Sequence, residues 1–118
     1  MTSLRLSNYI LHMKEASADI LNYMEGLDRE SFMSDKRTQQ AVIMNLVILG
    51  EAATKIMEHC PAFVEHHPNI AWKNMKGMRN RVAHGYFDIN LDIVWDTATS
   101  AIPTLNTDLT ILSLECDS

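Results

Sequence analysis

An apolar stretch near the middle of the chain, AVIMNLVILGEAA at residues 41–53, constrains the fold most strongly. Only an asparagine, a glycine and a glutamate interrupt it, so a helix built from it is apolar on almost every side. Such a helix needs burial against more than one neighbour. We therefore expect it to pack in its own core on one side and against a second copy of the chain on another, which predicts a homodimer. Gly50, Ala52 and Ala53 have little bulk, so we expect helices to approach closely there.

Apolar residues recur at every third or fourth position along most of the chain, which is the period of an amphipathic helix. This period predicts four helices. The first two cover about residues 4–25 and 35–58. The third begins near residue 70 or 72 and ends at 85, and the fourth begins near residue 88 or 90 and extends to about 112. The segment LDRESFMSD is expected to form a short helix or turn, and the loop CPAFVEHHPNIAW to hold a helical turn. The sequence thus predicts an all-α, up-and-down four-helix bundle, which can include one extra short helix.

Particular residues mark where these helices begin and end. Gly26 is expected to end the first helix and Gly85 the third, the latter as a left-handed C-terminal cap. Pro103 should kink the fourth helix, because proline cannot donate a backbone hydrogen bond and its ring crowds the preceding turn. Side chains that can accept hydrogen bonds from first-turn amides precede the second and fourth helices, namely Ser34 or Asp35 and Asp88 or Asn90.

The composition fits one domain over residues 1–118, because 47% of the residues are hydrophobic and 21% are charged. The first ten residues, MTSLRLSNYI, contain no apolar core of a signal peptide, and the longest apolar run is far shorter than the roughly 20 residues of a membrane helix. We therefore expect a cytoplasmic protein that does not bind membranes. Cys60 and Cys116 lack a CxxC spacing and are expected to be reduced thiols.

The net charge of -5 argues against a protein that coats nucleic acid non-specifically, since neutralising phosphates requires clustered lysine and arginine. The charge is unevenly distributed, however. Residues 72–86 contain no carboxylate and four lysines and arginines: Lys73, Lys76, Arg79 and Arg81. This cationic patch surrounds the stretch MRNRVAHGYF, residues 78–87, and makes Lys73, Lys76 and Arg81 candidates for binding RNA phosphates.

Within MRNRVAHGYF the polar side chains divide between two helix faces. Asn80 and His84 are four residues apart and share a face, whereas Arg79 and His84 are five apart, or about 140° around a helix. One interpretation is an ordinary helix end, where a histidine is favoured by the helix dipole beside solvated arginines. The other is a catalytic site, in which the long Arg79 side chain, or a helix that loosens before Gly85, brings guanidinium and imidazole to one phosphate.

Three further groups of residues have side chains that can serve a function. Glu51 follows the apolar stretch, and it either pairs with Arg79 or Arg81, from its own or the partner subunit, or is exposed near the helix end. Trp72 and Trp95 lie at helical-period positions and are expected in the core rather than stacked on bases. Four residues of types that bind zinc lie close together in the sequence, namely His59, Cys60, His66 and His67. Their spacing matches no common zinc site, so no metal or cofactor is predicted.

The stretch MRNRVAHGYF resembles the motif of the HEPN superfamily, an arginine followed after four to six residues by a histidine. It is most similar to the HepT-like branch, in which asparagine follows the arginine and tyrosine stands two residues after the histidine. The resemblance extends in order and spacing to LDRESFMSD, TQQAVIMNLVILGEAATKI, HPNIAWKNMKGMRN and LDIVWDTATSAIPTL, and so covers essentially the whole chain. The combination of these segments with GEA and HGYF makes the resemblance specific.

This resemblance implies a helical bundle that forms a homodimer, with the two motifs facing each other across the interface, and a ribonuclease that needs no metal. It implies catalytic roles for Arg79 and His84, with Asn80 in support. Proteins similar to this chain act as toxins on RNA, either mRNA or tRNA, and are paired with a minimal nucleotidyltransferase antitoxin. That antitoxin can inactivate the toxin by attaching AMP to the motif tyrosine, here Tyr86.

The chemistry of these side chains suits such a role. Metal-free RNA cleavage can use the ribose 2′-hydroxyl as nucleophile, and it needs a proton-transfer group and a fixed positive charge near the phosphate. His84 suits the first task and Arg79 the second, while Asn80 can orient the imidazole or the phosphate. AMP on Tyr86 would bring bulk and negative charge into a phosphate site. The alternative hypothesis, which the acidic net charge favours, is a non-catalytic nucleotide- or RNA-binding partner of a nucleotidyltransferase.

Overall fold

The computed structural model describes the backbone of residues 2–117 and the side chains of residues 5–115. Within these residues the fold is built from helices. These residues contain no β-strand, so the predicted all-α fold is confirmed. The α-helices are, in chain order, α1 Thr2–Met24, α2 Arg29–Met33, α3 Lys36–His59, α4 Pro61–Glu65, α5 Trp72–Gly85, α6 Leu91–Asp96 and α7 Ile102–Asp117. A 3-10 turn, Tyr86–Asp88, follows α5, and a π turn, Thr97–Ala101, joins α6 to α7 into one long helix.

The central helix of the bundle is α3, as the apolar stretch predicts. α1 and α5 both pack against it, and α7 packs against α1, which completes a bundle of four long helices among the described residues. Ten residues of α3 are buried, but two large apolar side chains are not: Met44 is 59% exposed and Ile48 is 38% exposed. Exposed apolar side chains of this kind are what a partner would cover, and the homodimer itself stays a prediction.

By length and composition alone, α3 is also apolar enough to cross a membrane, with a mean hydropathy of 1.3 over its most apolar 18 residues. However, 56% of that window is buried inside the bundle. A helix at the centre of a helical core has the same composition, because it must bury several faces at once. The central position of α3 therefore accounts for its hydropathy.

Two helices begin at aspartates whose side chains accept hydrogen bonds from backbone amides of the first turn. Asp28 accepts from the amide of Ser31 at 2.8 Å, and Asp35 accepts from the amide of Thr38 at 3.0 Å. These hydrogen bonds lower the pKa of both carboxyl groups, mainly through the Ser31 backbone for Asp28 and mainly through the Thr38 side chain for Asp35. Asn90 caps α6 in the same way, so the predicted caps at Asp35 and Asn90 are confirmed.

The ends of α1 and α5 differ, and the prediction for α5 is wrong in one respect. Gly26, after α1, has a φ of 77° and so adopts the left-handed conformation that glycine favours. Gly85 has a φ of -160° and a ψ of 53°, so it is not the predicted left-handed cap. The reason is that the chain does not reverse at Gly85 but continues directly into the 3-10 turn. α5 nevertheless ends at Gly85, as predicted.

The irregularity predicted at Pro103 lies in the turn before it. The amide of Ile102 donates to the carbonyl of Thr97, five residues earlier, which is a π-helical hydrogen bond. In a regular α-helix the ring of Pro103 would crowd the carbonyl of Thr99. The wider π turn gives that ring room, and α6 and α7 therefore continue as one helix through the proline.

Both tryptophans pack into the core, as predicted. Trp72 is buried, and its indole Nε1 donates to the carbonyl of His67 at 3.0 Å, which fixes the start of α5 against the preceding loop. The ring of Trp95 lies 5.6 Å from that of Phe32, a fully buried side chain of α2. These contacts anchor the chain on both sides of the MRNRVAHGYF stretch.

Candidate active site

The MRNRVAHGYF stretch lies mostly on α5, which stays α-helical from Trp72 to Gly85. The helix does not loosen before Gly85, so Arg79 and His84 keep the angle of about 140° that their spacing implies. Arg79 lies on the side of α5 that packs against α3, whereas His84 is exposed. Within one chain, α5 therefore directs these two side chains to different surroundings.

Arg79 is held by two side chains of α3. Its Nε lies 3.1 Å from Glu51 Oε1, and its Nη2 donates to Thr54 Oγ1 at 3.2 Å. The Nε atom is buried and makes no hydrogen bond to any described group, so its contact with Glu51 is an ion pair rather than a directed hydrogen bond. Thr54 in turn donates to the carbonyl of Gly50 at 2.7 Å. A carboxylate and a hydroxyl thus fix the guanidinium on α3.

Gly50 allows α5 to come this close to α3. A Cβ atom on Gly50 would lie 2.6 Å from the carbonyl oxygen of Met75 and closer still to the Cβ of Arg79. Real Cβ atoms do not make such short contacts, so a larger residue would force the helices apart. The close helix approach that the sequence predicts at Gly50 is confirmed, and the helix that approaches is α5 of the same chain.

His84 lines a cavity between the end of α5, the 3-10 turn and α6, with a volume of about 370 Å³. The other polar residues in its walls are Arg81, Asp88 and Asn90, and Arg79 is not among the lining residues. The His84 side chain forms no hydrogen bond or ion pair with the described part of the chain. Its imidazole is therefore available to a ligand.

The candidate phosphate-binding side chains Lys73, Lys76 and Arg81 are all exposed on α5. Lys73 and Arg81 line a second cavity of about 400 Å³, which shares Arg81 with the first. Lys76 lies outside both cavities. Asn80 is partly buried and lies four residues before His84 on the same helix face. Two of the three candidate cations therefore border the space that leads to His84.

These cavities belong to one cleft between α5 and the long helix formed by α6 and α7. α5 packs mainly against α3, and on its other side Met78 lines both cavities and a third one of about 340 Å³. Gly77 widens the cleft, since nothing lies within 4 Å of the position that its Cβ would take. The cleft therefore runs along α5 as far as His84.

Tyr86 begins the 3-10 turn directly after α5 and is 42% exposed. The next residue, Phe87, is 98% exposed, and the two rings meet edge to face with their centroids 5.9 Å apart. Large apolar side chains exposed together are typical of surfaces that bind another molecule. The end of the MRNRVAHGYF stretch is thus a surface feature and not part of the core.

The family described as ribonuclease HepT-like matches residues 13–110, which include the whole MRNRVAHGYF stretch and the α3 residues that hold Arg79. This chain belongs to the HepT-like ribonuclease family. Family membership confirms the resemblance of the sequence and the enzyme class, a ribonuclease. It also favours the enzyme over the alternative of a non-catalytic binding module.

Named relatives of this HepT-like chain support the same assignment. A protein from Methanocaldococcus jannaschii, named as an inferred RNase, is 33% identical over 95 residues, which are 80% of this chain and 76% of the relative. A protein from Thermococcus cleftensis, named as an inferred ribonuclease HepT, is 36% identical over 98 residues, or 83% of this chain and 86% of that protein. A longer Methanocaldococcus jannaschii protein, named as a gamma-glutamylcyclotransferase and inferred RNase, is 30% identical over 92% of this chain but 48% of its own length. No solved structure matches the chain significantly.

Two histidines weighed as zinc ligands contact other groups of this HepT-like ribonuclease. His66 and His67 each approach a backbone carbonyl through Nδ1, at 2.6 and 2.9 Å, and Nε2 of His67 lies 3.3 Å from Glu115. Among the side chains that are described, no three histidines, cysteines, aspartates or glutamates cluster closely enough to hold a metal ion. Cys60 is a free thiol, and the side chain of Cys116 lies outside the described residues.

Two residues of the site are not predicted from the sequence. Thr54 receives a hydrogen bond from Arg79, and Asp88 contributes a carboxylate to the first cavity. Helical spacing could have indicated Thr54, because it follows Glu51 by three positions and so shares a face of α3 with it. The sequence suggests Asp88 only as a possible helix cap, and in the structure Asn90 caps α6 instead. Of the partners that the sequence suggests for Glu51, the structure shows Arg79 of the same chain.

Proposed function

We propose that this HepT-like ribonuclease is the toxin of a toxin–antitoxin pair, a cytoplasmic homodimer that cleaves RNA without a metal ion. The observation that carries the proposal is the intact MRNRVAHGYF stretch beside an open cleft, in a member of a ribonuclease family. A cleft whose cations and histidine have no partner among the described side chains suits a polyanion such as RNA. Both mRNA and tRNA are candidate substrates.

In the proposed reaction the ribose 2′-oxygen attacks the adjacent phosphorus. The new O2′–P bond replaces the P–O5′ bond, so the products carry a 2′,3′-cyclic phosphate and a 5′-hydroxyl. One proton leaves the 2′-hydroxyl and another reaches the 5′-oxygen. His84 transfers these protons, and Arg79 stabilises the negative charge that develops on the phosphate oxygens. Asn80, on the same helix face as His84, orients the phosphate.

A homodimer supplies what one chain lacks in this proposal. Arg79 and His84 lie about 140° apart on α5, so a second copy has to bring its own His84 or Arg79 to the same phosphate. The exposed apolar side chains Met44 and Ile48 lie on α3, the helix that holds Arg79, and would give such a dimer a surface to bury. By the two-fold symmetry of such a dimer, each of two sites would then hold Arg79 of one chain and His84 of the other.

The partner in this proposal is a nucleotidyltransferase antitoxin that transfers AMP to Tyr86. The phenol is exposed and therefore accessible to another protein. In the transfer, the Tyr86 oxygen attacks the α-phosphorus of ATP, and pyrophosphate leaves. The attached AMP would stand two residues from His84, where its negative charge repels the phosphate of RNA.

Purified protein tests the proposed reaction. We expect it to cleave a single-stranded RNA oligonucleotide in the presence of EDTA, and we expect His84→Ala to slow cleavage by about 100-fold or more, as loss of a general acid–base group does. His59→Ala is the matched control, because His59 is an exposed histidine at the end of α3. Equal cleavage by the two variants would contradict the role of His84. Melting temperature and oligomeric state are measured for both, so that a folding defect is recognised.

A further inference from the structure

The cavity beside His84 has walls of two chemical kinds. Its polar residues include one cation, Arg81, and one anion, Asp88. Its volume of about 370 Å³ falls in the lower part of the range for ligand pockets, about 300 to 1,000 Å³. An apolar wall with a few polar groups suits a small aromatic ligand. The large apolar side chains of that wall are Met78, Val82, Ile89, Ile93 and Val94.

The two charges of this cavity have no partner among the side chains that the structure describes. Arg79, on the other side of α5, is paired with Glu51. By contrast, among the described side chains neither Arg81 nor Asp88 forms an ion pair or a side-chain hydrogen bond. The carboxylate of Asp88 lies at the end of α5, with Oδ2 3.9 Å from the position that a Cβ of Gly85 would take. A ligand that enters this cavity therefore meets a free guanidinium and a free carboxylate beside the imidazole of His84.

Guanine has edges that complement both groups. A carboxylate can accept two parallel hydrogen bonds from its N1–H and N2–H donors. A guanidinium can donate two hydrogen bonds to its O6 and N7 acceptors, which is the commonest specific contact with guanine. Adenine and cytosine present one amino donor beside a ring nitrogen acceptor, and uracil presents one N–H donor between two carbonyl oxygens. Each of these three bases therefore places a hydrogen-bond acceptor next to the carboxylate. Because a carboxylate can only accept hydrogen bonds, the two groups repel each other.

We propose that this cavity is a base subsite for guanine, which holds the guanine of an RNA nucleotide next to the phosphate that is cleaved. Asp88 and Arg81 are its specificity-determining residues. The inference rests on the proposed ribonuclease function, because it is the adjacent His84 that connects the base to the cleaved bond. The base lies against the apolar wall, and the chain of phosphates continues along the cleft past Lys73. Arg81 lines both cavities and marks the boundary between base and phosphate.

Matched oligonucleotides test the subsite. Four single-stranded RNAs are prepared with uridine at every position except one central base, which is G, A, C or U, and the cut next to that base is mapped and timed. We expect kcat/KM at guanine to exceed that at each other base by about tenfold or more, as one good bidentate contact provides. Asp88→Asn replaces two acceptors by one acceptor and one donor, and it should lose most of this preference. Asp96→Asn should keep it, because Asp96 is an exposed carboxylate of α6 that does not line the cavity.

Binding distinguishes failure of the subsite from failure of the proposed function. By calorimetry, 3′-GMP should bind the wild-type protein about tenfold more tightly than 3′-AMP, 3′-CMP or 3′-UMP, and Asp88→Asn should remove the difference. Cleavage of all four RNAs at equal rates would overturn the guanine subsite and leave the ribonuclease function in place. Selective binding of 3′-GMP without cleavage of any RNA would overturn the function and support the subsite. Equal binding of the four mononucleotides would overturn the subsite whether or not RNA is cleaved.

Discussion

Glu51 on α3 and Arg79 on α5 form an ion pair in which Glu51 Oε1 lies 3.1 Å from Arg79 Nε. The Glu51 side chain is 54% exposed and the Arg79 side chain is 24% exposed, so water screens the interaction. Exposed pairs contribute only about 0 to 1 kcal/mol to stability. The contact therefore matters more for the orientation of the guanidinium than for folding. Together with the hydrogen bond to Thr54, it fixes one side of the guanidinium on α3.

Glu51→Gln should impair cleavage with little loss of stability. Glutamine keeps the size of the side chain but not its charge, so Arg79 loses its anchor and meets the phosphate in a less defined position. We expect kcat to fall several-fold with KM nearly unchanged, and the free energy of unfolding to change by less than about 1 kcal/mol. Steady-state cleavage and urea titration measure these effects. Glu58→Gln, at an exposed position of α3, is the control, and the same kcat in both variants would rule out positioning by Glu51.

Gly50→Ala should destabilise the fold, and Gly77→Ala should not. The added Cβ at Gly50 meets the backbone of α5, and such overpacking costs about 1 to 3 kcal/mol. At Gly77 the added Cβ meets open space, so the higher helix propensity of alanine should stabilise α5 by about 0.5 to 1 kcal/mol. Urea titration of both variants measures the difference. Equal stabilities would mean that α3 and α5 are not in close contact at Gly50.

Lys73→Ala and Arg81→Ala should weaken RNA binding more than Lys76→Ala does. Lys73 and Arg81 border the cleft that leads to His84, whereas Lys76 is exposed outside it. Loss of the Lys73 phosphate contact should also reduce the slope of log affinity against log salt by about 0.7 for single-stranded RNA. Fluorescence anisotropy with a labelled oligonucleotide over a salt series measures both quantities. Three equal slopes would indicate that RNA does not follow the cleft.

Tyr86→Phe should prevent modification by the proposed antitoxin, and Tyr23→Phe should not. The two tyrosines are similarly exposed, at 42% for Tyr86 and 45% for Tyr23, so exposure alone does not separate them. Only Tyr86 follows the helix that carries His84. The protein is incubated with ATP and the proposed nucleotidyltransferase antitoxin, and intact-mass spectrometry reports addition of AMP. Addition to Tyr86→Phe, or loss of addition in Tyr23→Phe, would contradict the assignment of the modified residue.

Asp35→Ala should destabilise the protein at neutral pH, and this effect should disappear in acid. Hydrogen bonds from Thr38 lower the pKa of the Asp35 carboxyl in the folded protein below its ordinary value of 3.8. A carboxylate with a lowered pKa stabilises the fold fully above the unfolded pKa and loses that contribution as the pH falls through the folded pKa. Urea titrations of wild type and variant at neutral pH and well below pH 3.8 test the sign. Asp19→Ala, at an exposed position within α1, removes a carboxylate that caps no helix and is the control.

The helices could be predicted from the sequence because their signals are local. Asp35 accepts a hydrogen bond from a residue three positions later, and the apolar period fixes which side of each helix is buried. The prediction of a left-handed cap at Gly85 is wrong, because the conformation of this glycine depends on the direction in which the following residues run. There the 3-10 turn carries the chain onward, whereas after α1 the chain turns at Gly26 with positive φ.

The candidate site could be predicted only in part, because its contacts join distant segments. The motif residues follow from the sequence, but Thr54 and Arg79 are 25 positions apart and meet only because Gly50 lets two helices touch. The carboxylate of Asp88 enters the cavity because α6 starts from Asn90 and not from Asp88. Helix packing decides both features, and the local spacing of residues along the sequence does not indicate how helices pack.

The π turn at Thr97–Ala101 has a consequence for the whole of the last helix. An α-helix has about 3.6 residues per turn, so positions four apart drift by about 40° at each step. Val94, Ala98 and Ile102 are spaced by four and are all buried. The π turn adds one residue to the helical turn and so compensates for this rotation of the buried positions. As a result, α6 packs against α2 and α3 and α7 packs against α1, although the helix is continuous. The turn thus acts as a register adjustment, the point at which a related protein could gain or lose one residue while both halves of the helix keep their neighbours.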